Sequence, residues 1–416
     1  MIYTGSRLRA GVAVALTSLA LLIGLRSLAG TSQRIVQNPA EAPSRTVVLE
    51  KLWEVGGFSE APEEFFGVIV ALDTDSRGNV YLLDKQLSDV RVFDADGRYV
   101  RTLGGEGEGP GEFRQPGSLC VLPDDQLCVL QTNPTRRSLF TPDGIYAGEL
   151  ARPAPLDTLQ QFYGLHVEGD VIAAQGLSTT VGEDAMESRG GLYRYAQGDS
   201  VAVQIAPTYR RFDFAAKVIR EMDGLTSTQW CLGQDGRLYW VDGGDYTIRV
   251  WDPAGRPELT IARAFEHLRR SKEDKARVED GYRRGGGTES VTIEVEDFAR
   301  DVAWMVGAPG GGLWVSSSRS NLDLPEGAMA RVDVYGKDGV LTEELTLRGE
   351  GRFGADRLYV EGDRLYVLRH AADAFRAWQA TLAWNRGADG DETSSDEEPE
   401  PMSVICYRLP GVRSRR

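Results

Sequence analysis

The side chains that most often bind catalytic metal ions are scarce in this chain, which has three histidines among 416 residues. His166 and His370 lie in or directly after β-rich runs, and His267 lies in a strongly charged stretch. None belongs to an HExxH motif, and the chain contains no GxSxG nucleophile motif. From these motifs we predict no catalytic residue and no cofactor. A closed ring of strands could still place a divalent cation between His166 and His370, and the alternative is that both are structural.

Four cysteines, Cys120, Cys128, Cys231 and Cys406, are the other candidates for metal or redox chemistry. None forms a CxxC pair. Cys120 and Cys128 flank a turn centred on Asp124, and this register would place them opposite each other on neighbouring strands. They are therefore either a disulfide or, like Cys231 and Cys406, small apolar side chains in the core.

A repeat along the chain must position these residues. Several runs of alternating apolar residues each end on an aromatic residue, and a glycine follows that residue three or four positions later. Five pairs are four positions apart and the sixth is one residue shorter: Phe93/Gly97, Phe140/Gly144, Trp251/Gly255, Tyr335/Gly339, Tyr407/Gly411 and Tyr195/Gly198. In each, the glycine would supply the positive φ that closes a hairpin. Two further β-rich runs precede every copy, so the unit has four antiparallel strands. Six such units predict an all-β, six-bladed β-propeller.

The seam of this ring follows from the two ends of the repeat. The sixth unit ends at Gly411 without an outer strand, and an unassigned apolar segment precedes the first unit. An open sheet edge would leave backbone groups unpaired. We therefore predict that residues 46–55 complete the blade formed by residues 356–411. We predict a signal peptide or anchor at residues 1–29, a linker at 30–45, the propeller at 46–411 and a basic tail at 412–416. The propeller carries insertions at 207–225, 262–299 and 370–402.

Residues 73–116, DTDSRGNVYLLDKQLSDVRVFDADGRYVRTLGGEGEGPGEFRQP, resemble the NHL repeat. The whole chain is similar to the NHL-repeat-like six-bladed propellers that bacteria secrete. This resemblance implies the fold, whereas the related propellers include protein-binding and RNA-binding platforms, an amidating lyase and lactone hydrolases. The lyase would require a histidine metal centre with catalytic tyrosine and arginine residues, and we find no matching positions. Function therefore has to be argued from the site.

The N-terminal sequence has the order typical of an export signal. Arg7 and Arg9 precede the apolar run Gly11–Leu25, and small residues follow at Ser27 and Ala29. We expect a periplasmic or extracellular protein, with the signal cleaved or with residues 10–29 retained as an inner-membrane anchor. The formal net charge of −15 argues against a nucleic-acid partner, because phosphate binding relies on basic residues.

Every long insertion falls in connections that leave the ring on one face, called here the decorated face, and these insertions include 176–189 and 318–328 inside blades. The hairpin turns of the opposite, trimmed face are short. Three insertions are predicted to form helices, over 213–223, 266–284 and 371–384. Long loops on a rigid scaffold usually carry recognition. The binding-face candidates are Phe214, Phe375, Trp378 and Trp384. Alternatively, these aromatic side chains pack on their own propeller.

Two functions remain open from the sequence. The first is a non-enzymatic binding module that recognises a protein or an envelope component through the decorated face, as an accessory subunit of a membrane-associated complex. The second is a metal-dependent hydrolase or lyase with its site at the mouth of the central channel. The scarcity of histidines and of nucleophile motifs favours the first.

Overall fold

The computed structural model describes residues 34–132, 134–221, 229–241, 243–284, 290–385 and 400–410. Six four-stranded antiparallel units form a six-bladed β-propeller, as predicted. Blades 1 and 2 comprise β4 (Ile69–Thr74), β5 (Val80–Asp84), β6 (Asp89–Phe93) and β7 (Tyr99–Gly104), then β8 (Pro116–Val121), β9 (Leu127–Thr132), β10 (Thr135–Phe140) and β11 (Tyr146–Glu149). Blades 3 and 4 comprise β12 (Gln161–Glu168), β13 (Val171–Val181), β14 (Ala185–Tyr195) and β15 (Val203–Asp213), then β17 (Gln229–Leu232), β18 (Leu238–Val241), β19 (Thr247–Trp251) and β20 (Pro257–Arg263). Blades 5 and 6 comprise β22 (Val302–Gly307), β23 (Leu313–Ser317), β24 (Ala328–Tyr335) and β25 (Leu341–Arg348), then β26 (Arg357–Glu361), β27 (Arg364–Arg369), β28 (Ser403–Arg408) and β3 (Glu50–Gly56).

The aromatic residue that ends the third strand of each blade packs into the core. Phe93 and Phe140 are buried, and the glycines that follow them, Gly97 and Gly144, have φ values of 80° and 86°. A Cβ at Gly144 would also lie 2.6 Å from the Leu103 side chain of the neighbouring blade. The repeat therefore marks both a hairpin turn and a contact between blades.

The N-terminal strand closes the last blade, as predicted, but its bounds differ from the expected 46–55. Strand β3 pairs antiparallel with β28 in a register that matches Gly56 with Ser403 and Glu50 with Arg408. On the side of blade 1, Trp53 donates its Nε1–H to the carbonyl of Ala95 at 3.0 Å. The seam is therefore closed by backbone pairing on one side and by a side chain on the other.

Two further strands precede β3, within and beyond the segment 30–45 where we expected a linker. Strand β1 (Arg34–Asn38) joins the outer edge of blade 4 beside β20, and β2 (Ser44–Val48) pairs parallel with β25 of blade 5. Asn38 is buried between these blades, donates to the carbonyl of Gly339 at 3.0 Å and accepts from the Leu341 amide at 2.7 Å. The N-terminal segment thus contacts blades 4, 5 and 6 in turn.

Two of the three predicted helices are present, and the third prediction was wrong. Helix α1 (Lys272–Arg284) and helix α2 (Ala371–Asn385) occupy the second and third predicted segments. In place of the helix over 213–223, β15 runs to Asp213, and a turn leads to β16 (Val218–Arg220), which pairs parallel with β21 (Thr292–Glu294). Asp213 does accept backbone hydrogen bonds as a helix cap would, but Lys217 adopts a φ of 50° and redirects the chain. Residues 222 and 223 lie outside the described residues.

All four cysteines are buried and free. Cys120 lies opposite Cys128 in the ladder between β8 and β9, as the turn centred on Asp124 predicted. The pair occurs as packed thiols in place of a disulfide, and its members are core side chains like Cys231 and Cys406.

Several predicted features fall on the parts of the chain that the structure does not describe. These are the signal or anchor at 1–29, the basic tail at 412–416, residues 386–399 of the insertion at 370–402, Gly411 and the side chain of Trp384. Among the described residues, no helix combines the length and apolar character that crossing a bilayer requires.

Candidate functional site

The innermost strands of the six blades enclose a cavity of about 690 Å³ at the centre of the ring. Each of β4, β8, β12, β17, β22 and β26 contributes to its wall. The lining combines aromatic side chains such as Trp304 and Tyr359 with carboxylates, amides and His166. A cavity of this size and mixed polarity is suited to a small ligand or to an inserted side chain.

Three carboxylates lie at the end of this cavity that opens towards the trimmed face. Asp73, Glu168 and Glu361 are each at or next to the last residue of an inner strand. The pKa of Asp73 is raised to about 7, by burial and then by the charges of Glu168 and Asp75, although two backbone amides that donate to Asp73 oppose this rise. The pKa of Glu361 is likewise raised well above its usual value, by burial and then by Asp73 and Glu168. This end of the cavity therefore favours protons or a cationic group.

The protonation of Asp73 predicts how stability depends on pH. Unfolded aspartate loses its proton near pH 3.9, whereas folded Asp73 keeps its proton until about pH 7. The folded state therefore binds more protons in this window, and the stability contributed by Asp73 is complete below about pH 4 and is lost as the pH rises through 7. We expect the free energy of unfolding, measured with urea, to fall less between pH 4 and pH 8 in the Asp73→Asn variant than in the native chain. Asp96→Asn, in an exposed turn, is the control, and equal slopes for native chain and Asp73→Asn would contradict this prediction.

His166 and His370, the two metal candidates, lie in different surroundings. His166 lines the cavity, where its ring meets Trp230 edge to face at 4.8 Å between ring centroids. His166 is exposed to the cavity, but the surrounding blades desolvate its ring and lower its pKa to about 4, so the ring is neutral at pH 7. His370 is not among the lining residues described, and its Nε2 lies 3.0 Å from Glu400 Oε2. Of this pair, only His166 is placed to contact a ligand in the cavity, and the shared metal site stays a prediction.

Blade 3 extends beyond the other blades on the decorated face. Its strands β13, β14 and β15 have 11 residues each. The inner strand β12 pairs with β13 only as far as Gln161 opposite Leu177. The ends of the three outer strands therefore project past the ring as a separate antiparallel sheet. The sequence indicated an insertion at 176–189, but its form, a lengthened hairpin in place of a loop, was not predicted.

A buried ion pair fixes the neighbouring insertion to the end of β16. Glu221 is 6% exposed and accepts two hydrogen bonds from Arg270, at 2.5 and 2.7 Å. The Glu296 amide donates to the same carboxylate, and the Tyr282 hydroxyl of α1 donates to the Glu221 carbonyl. Because this carboxylate joins three segments, the insertion is a positioned part of the decorated face.

The aromatic binding-face candidates are only partly exposed. Phe214 is 36% exposed and contacts Phe212. On α2, Phe375 contacts Trp378, and the ammonium group of Lys85 lies 5.6 Å from the centre of the Trp378 ring. Phe375 and Trp378 therefore contact each other, and Trp378 also contacts blade 1. These contacts agree better with the alternative that the side chains pack on their own propeller. Phe214 remains the candidate with the freer surface.

One group of chemically competent side chains was missed by sequence reasoning. Asp245, His267 and Asp301 place one potential ligand atom each within 4.8 Å of one another. They come from the loop between β18 and β19 and from the connection between blades 4 and 5, both on the decorated face. No local motif joins residues so far apart in the sequence. The sequence offered one signal for this group, which is that all three residues lie in connections of the decorated face.

A comparison with family models agrees with the fold. A family model described as a 6-bladed beta-propeller matches residues 65–134. No curated protein matches the chain. Among solved structures, a gluconolactonase from Xanthomonas campestris is 12% identical, with 86% of this chain and 89% of that chain covered and a TM-score of 0.41.

Two other solved structures have similar coverage. A member of the DUF4221 family from Bacteroides vulgatus is 10% identical, with 88% of this chain and 98% of that chain covered and a TM-score of 0.45. Virginiamycin B lyase from Staphylococcus aureus is 10% identical, with 86% and 99% covered and a TM-score of 0.38. The function of this chain rests on its own residues.

Proposed function

We propose that this chain is an extracytoplasmic binding module, not an enzyme, and that it recognises a protein partner through the projecting sheet of blade 3. The observation that carries the proposal is the exposure of apolar side chains at the tip of this sheet. Val181 is 69% exposed, Met186 38% and Phe214 36%. Exposed apolar side chains grouped at one place typically mark an interaction site.

These side chains share one side of the sheet. Val181 lies opposite Met186 in the ladder between β13 and β14, and Met186 lies opposite Phe212 in the ladder between β14 and β15. Directly paired residues in neighbouring strands point to the same face. Phe214 continues this surface through its contact with Phe212, with ring centroids 6.0 Å apart. The four residues Val181, Met186, Phe212 and Phe214 are called here the tip patch.

The opposite side of the same sheet is polar and internally paired. Arg189 lies over the Tyr209 ring at 4.7 Å and pairs with Glu187 at 3.0 Å. Arg211 also pairs with Glu187, at 3.1 Å. The sheet is therefore amphipathic, with one side suited to solvent and the other suited to a covering surface.

The surroundings of the tip patch favour a protein over a lipid surface. The turn between β13 and β14 carries the exposed carboxylates Glu183 and Asp184, and Asp213 adjoins the patch at the end of β15. Anionic headgroups would be repelled by these carboxylates and by the net charge of −15. A protein surface with an apolar centre and a basic rim would complement the patch.

Export is the second part of this proposal, and it is supported by the apolar run Gly11–Leu25 behind Arg7 and Arg9. The alternative function, a metal-dependent hydrolase or lyase at the channel mouth, stays a prediction. Of its two candidate ligands, only His166 lines the cavity in the part of the chain that the structure describes.

Site-specific photo-crosslinking in the native host tests the interaction. A photoreactive amino acid at Met186 should give a discrete crosslinked protein, because this side chain lies within the tip patch. The same amino acid at Ile145, which is 68% exposed in a hairpin turn of the trimmed face, should give none. Equal products from both positions, or none from Met186 in folded protein, would disprove the proposal.

Once the crosslinked protein is identified, the purified pair provides an affinity measurement. We expect Met186→Glu to weaken binding at least about tenfold, since charge at the centre of an apolar contact is costly. Ile145→Glu makes the same change on the trimmed face and should leave the affinity unchanged. Similar losses in both variants would indicate that the tip patch is not the contact surface.

A further inference from the structure

Asp245, His267 and Asp301 form a pre-built group on the decorated face. Asp301 directly precedes the inner strand β22 of blade 5, and His267 follows β20 of blade 4 by four residues. The Asp301 amide donates to the Gly244 carbonyl at 2.8 Å, and the Asp301 carbonyl accepts from the Ser318 amide at 2.9 Å. These backbone bonds tie Asp301 to the loop that carries Asp245. The group is therefore held by the propeller itself.

The Asp301 carboxylate is buried with unused bonding capacity. Asp301 is 1% exposed, and its Oδ1 lies 3.0 Å from His267 Nδ1. Its Oδ2 is buried and has no hydrogen-bond partner. Burial raises the pKa of Asp301, and the hydrogen bond and charge of His267 and then the Tyr246 amide oppose this rise only in part. A buried carboxylate oxygen without a partner is costly, and a bound cation would remove that cost.

His267 is held from two sides while its ring stays accessible. Arg319 donates to the carbonyls of Glu266 and His267, at 2.5 and 3.2 Å. The imidazole also lies against Phe298, with ring centroids 6.0 Å apart. The ring of His267 and the carboxylate of Asp245 are both exposed to solvent. An ion could reach this group directly from the surface of the decorated face.

We infer that Asp245, His267 and Asp301 bind a divalent transition-metal ion of the Zn²⁺ class. Zinc bonds to nitrogen and oxygen are roughly 2.0–2.2 Å long, so that two neighbouring ligand atoms on a tetrahedral ion lie roughly 3.3–3.6 Å apart. His267 Nδ1 and Asp301 Oδ1 are 3.0 Å apart as a hydrogen-bonded pair, and a separation wider by a few tenths of an ångström would let them share an ion. The imidazole favours Zn²⁺ over Ca²⁺ or Mg²⁺, which prefer oxygen ligands.

On binding, the proton shared by His267 Nδ1 and Asp301 leaves to solvent, and Nδ1 donates its lone pair to the ion. Three protein ligands leave one position of a tetrahedral ion open. That position faces solvent on the decorated face, where it takes a water molecule or a donor group of a bound partner.

Metal titration of the full chain after dialysis against chelator tests this inference. We expect about one Zn²⁺ to bind per chain by calorimetry, and Co²⁺ to give visible d–d absorption of a four-coordinate site. Asp245→Asn and His267→Asn should each weaken binding about 10- to 100-fold. Asp245 is exposed, so Asp245→Asn should melt like the native chain in the presence of chelator. His267→Asn should do so as well, because the asparagine amide can donate to Asp301 Oδ1 in place of the imidazole.

Asp96→Asn is the matched control, because Asp96 is an exposed carboxylate that pairs with Arg98 in a hairpin turn of the trimmed face and belongs to no group of three ligands among the described residues. This variant should bind Zn²⁺ and Co²⁺ like the native chain. Absence of stoichiometric binding would overturn the inference. Unchanged binding by His267→Asn would also overturn it, since the ions would then be held elsewhere, for example by the acidic stretch 389–400.

Discussion

Removal of residues 50–56 should abolish the cooperative unfolding of this propeller. Without β3, the backbone of β28 loses its outer partner, and the buried Val55 and the Trp53 contact with blade 1 disappear. Burial of one aliphatic and one aromatic side chain contributes about 5 kcal/mol, a large fraction of the stability of a typical domain. Thermal and urea unfolding should become broad, and amide exchange in β27 and β28 should become fast.

Deletion of the acidic stretch 389–399 is the control for this experiment. It removes more residues, but few apolar ones, and we expect little change in the unfolding midpoint. If the chain without β3 unfolds as sharply as the native chain and at the same midpoint, the N-terminal strand does not close the ring in solution.

The second large effect is expected at the buried ion pair between blades 4 and 5. Arg263 forms an ion pair with Asp333, and the Tyr246 hydroxyl donates to the same carboxylate at 2.7 Å. Both charged side chains are buried, with 8% and 1% of their surface exposed. Arg263→Ala would leave a buried carboxylate without its cation, at a cost of about 3–5 kcal/mol. Urea unfolding at pH 7 measures this loss.

The dependence on pH and a double substitution distinguish charge from packing in this experiment. Burial raises the pKa of Asp333 even with Arg263 present, and without Arg263 that pKa should rise further. The deficit of Arg263→Ala should therefore shrink as the pH falls and Asp333 takes up a proton. The Arg263→Leu/Asp333→Leu variant should recover most of the lost stability. A deficit that is independent of pH and persists in the double variant would assign the loss to packing.

The propeller could be predicted because each blade repeats a locally encoded turn. The ring of Phe93 and the glycine at Gly97 are close in sequence, and both the burial of the ring and the positive φ of the glycine follow from that short pattern. The closing strand was predictable by counting, since the last blade lacked one strand. The predicted strand began too early, because Thr46 and Val47 are also suited to a strand. In the structure these two residues pair with blade 5 instead.

Features that depend on contacts between distant residues were not predictable in the same way. Strand β1 buries only two of its five side chains, so that its sequence has little apolar signal. The predicted helix after Asp213 had a correct cap but the wrong continuation, because pairing of β16 with β21 outweighed local preference. Asp245, His267 and Asp301 meet only through the arrangement of two blades.

The N-terminal segment also determines when this protein can finish folding. Glu54 and Ser403, which form a hydrogen bond, are 349 residues apart, so the first strands made by the ribosome must wait for the last. At typical rates of synthesis, this interval is roughly 20 to 70 s. Blade 4, the partner of β1, is synthesised by Arg263 and blade 5, the partner of β2, by Arg348, whereas β3 has no partner until β28 has been made. Nascent chains should therefore stay accessible to chaperones or to an export machinery until β28 has been made, and ring closure should be a late step of folding.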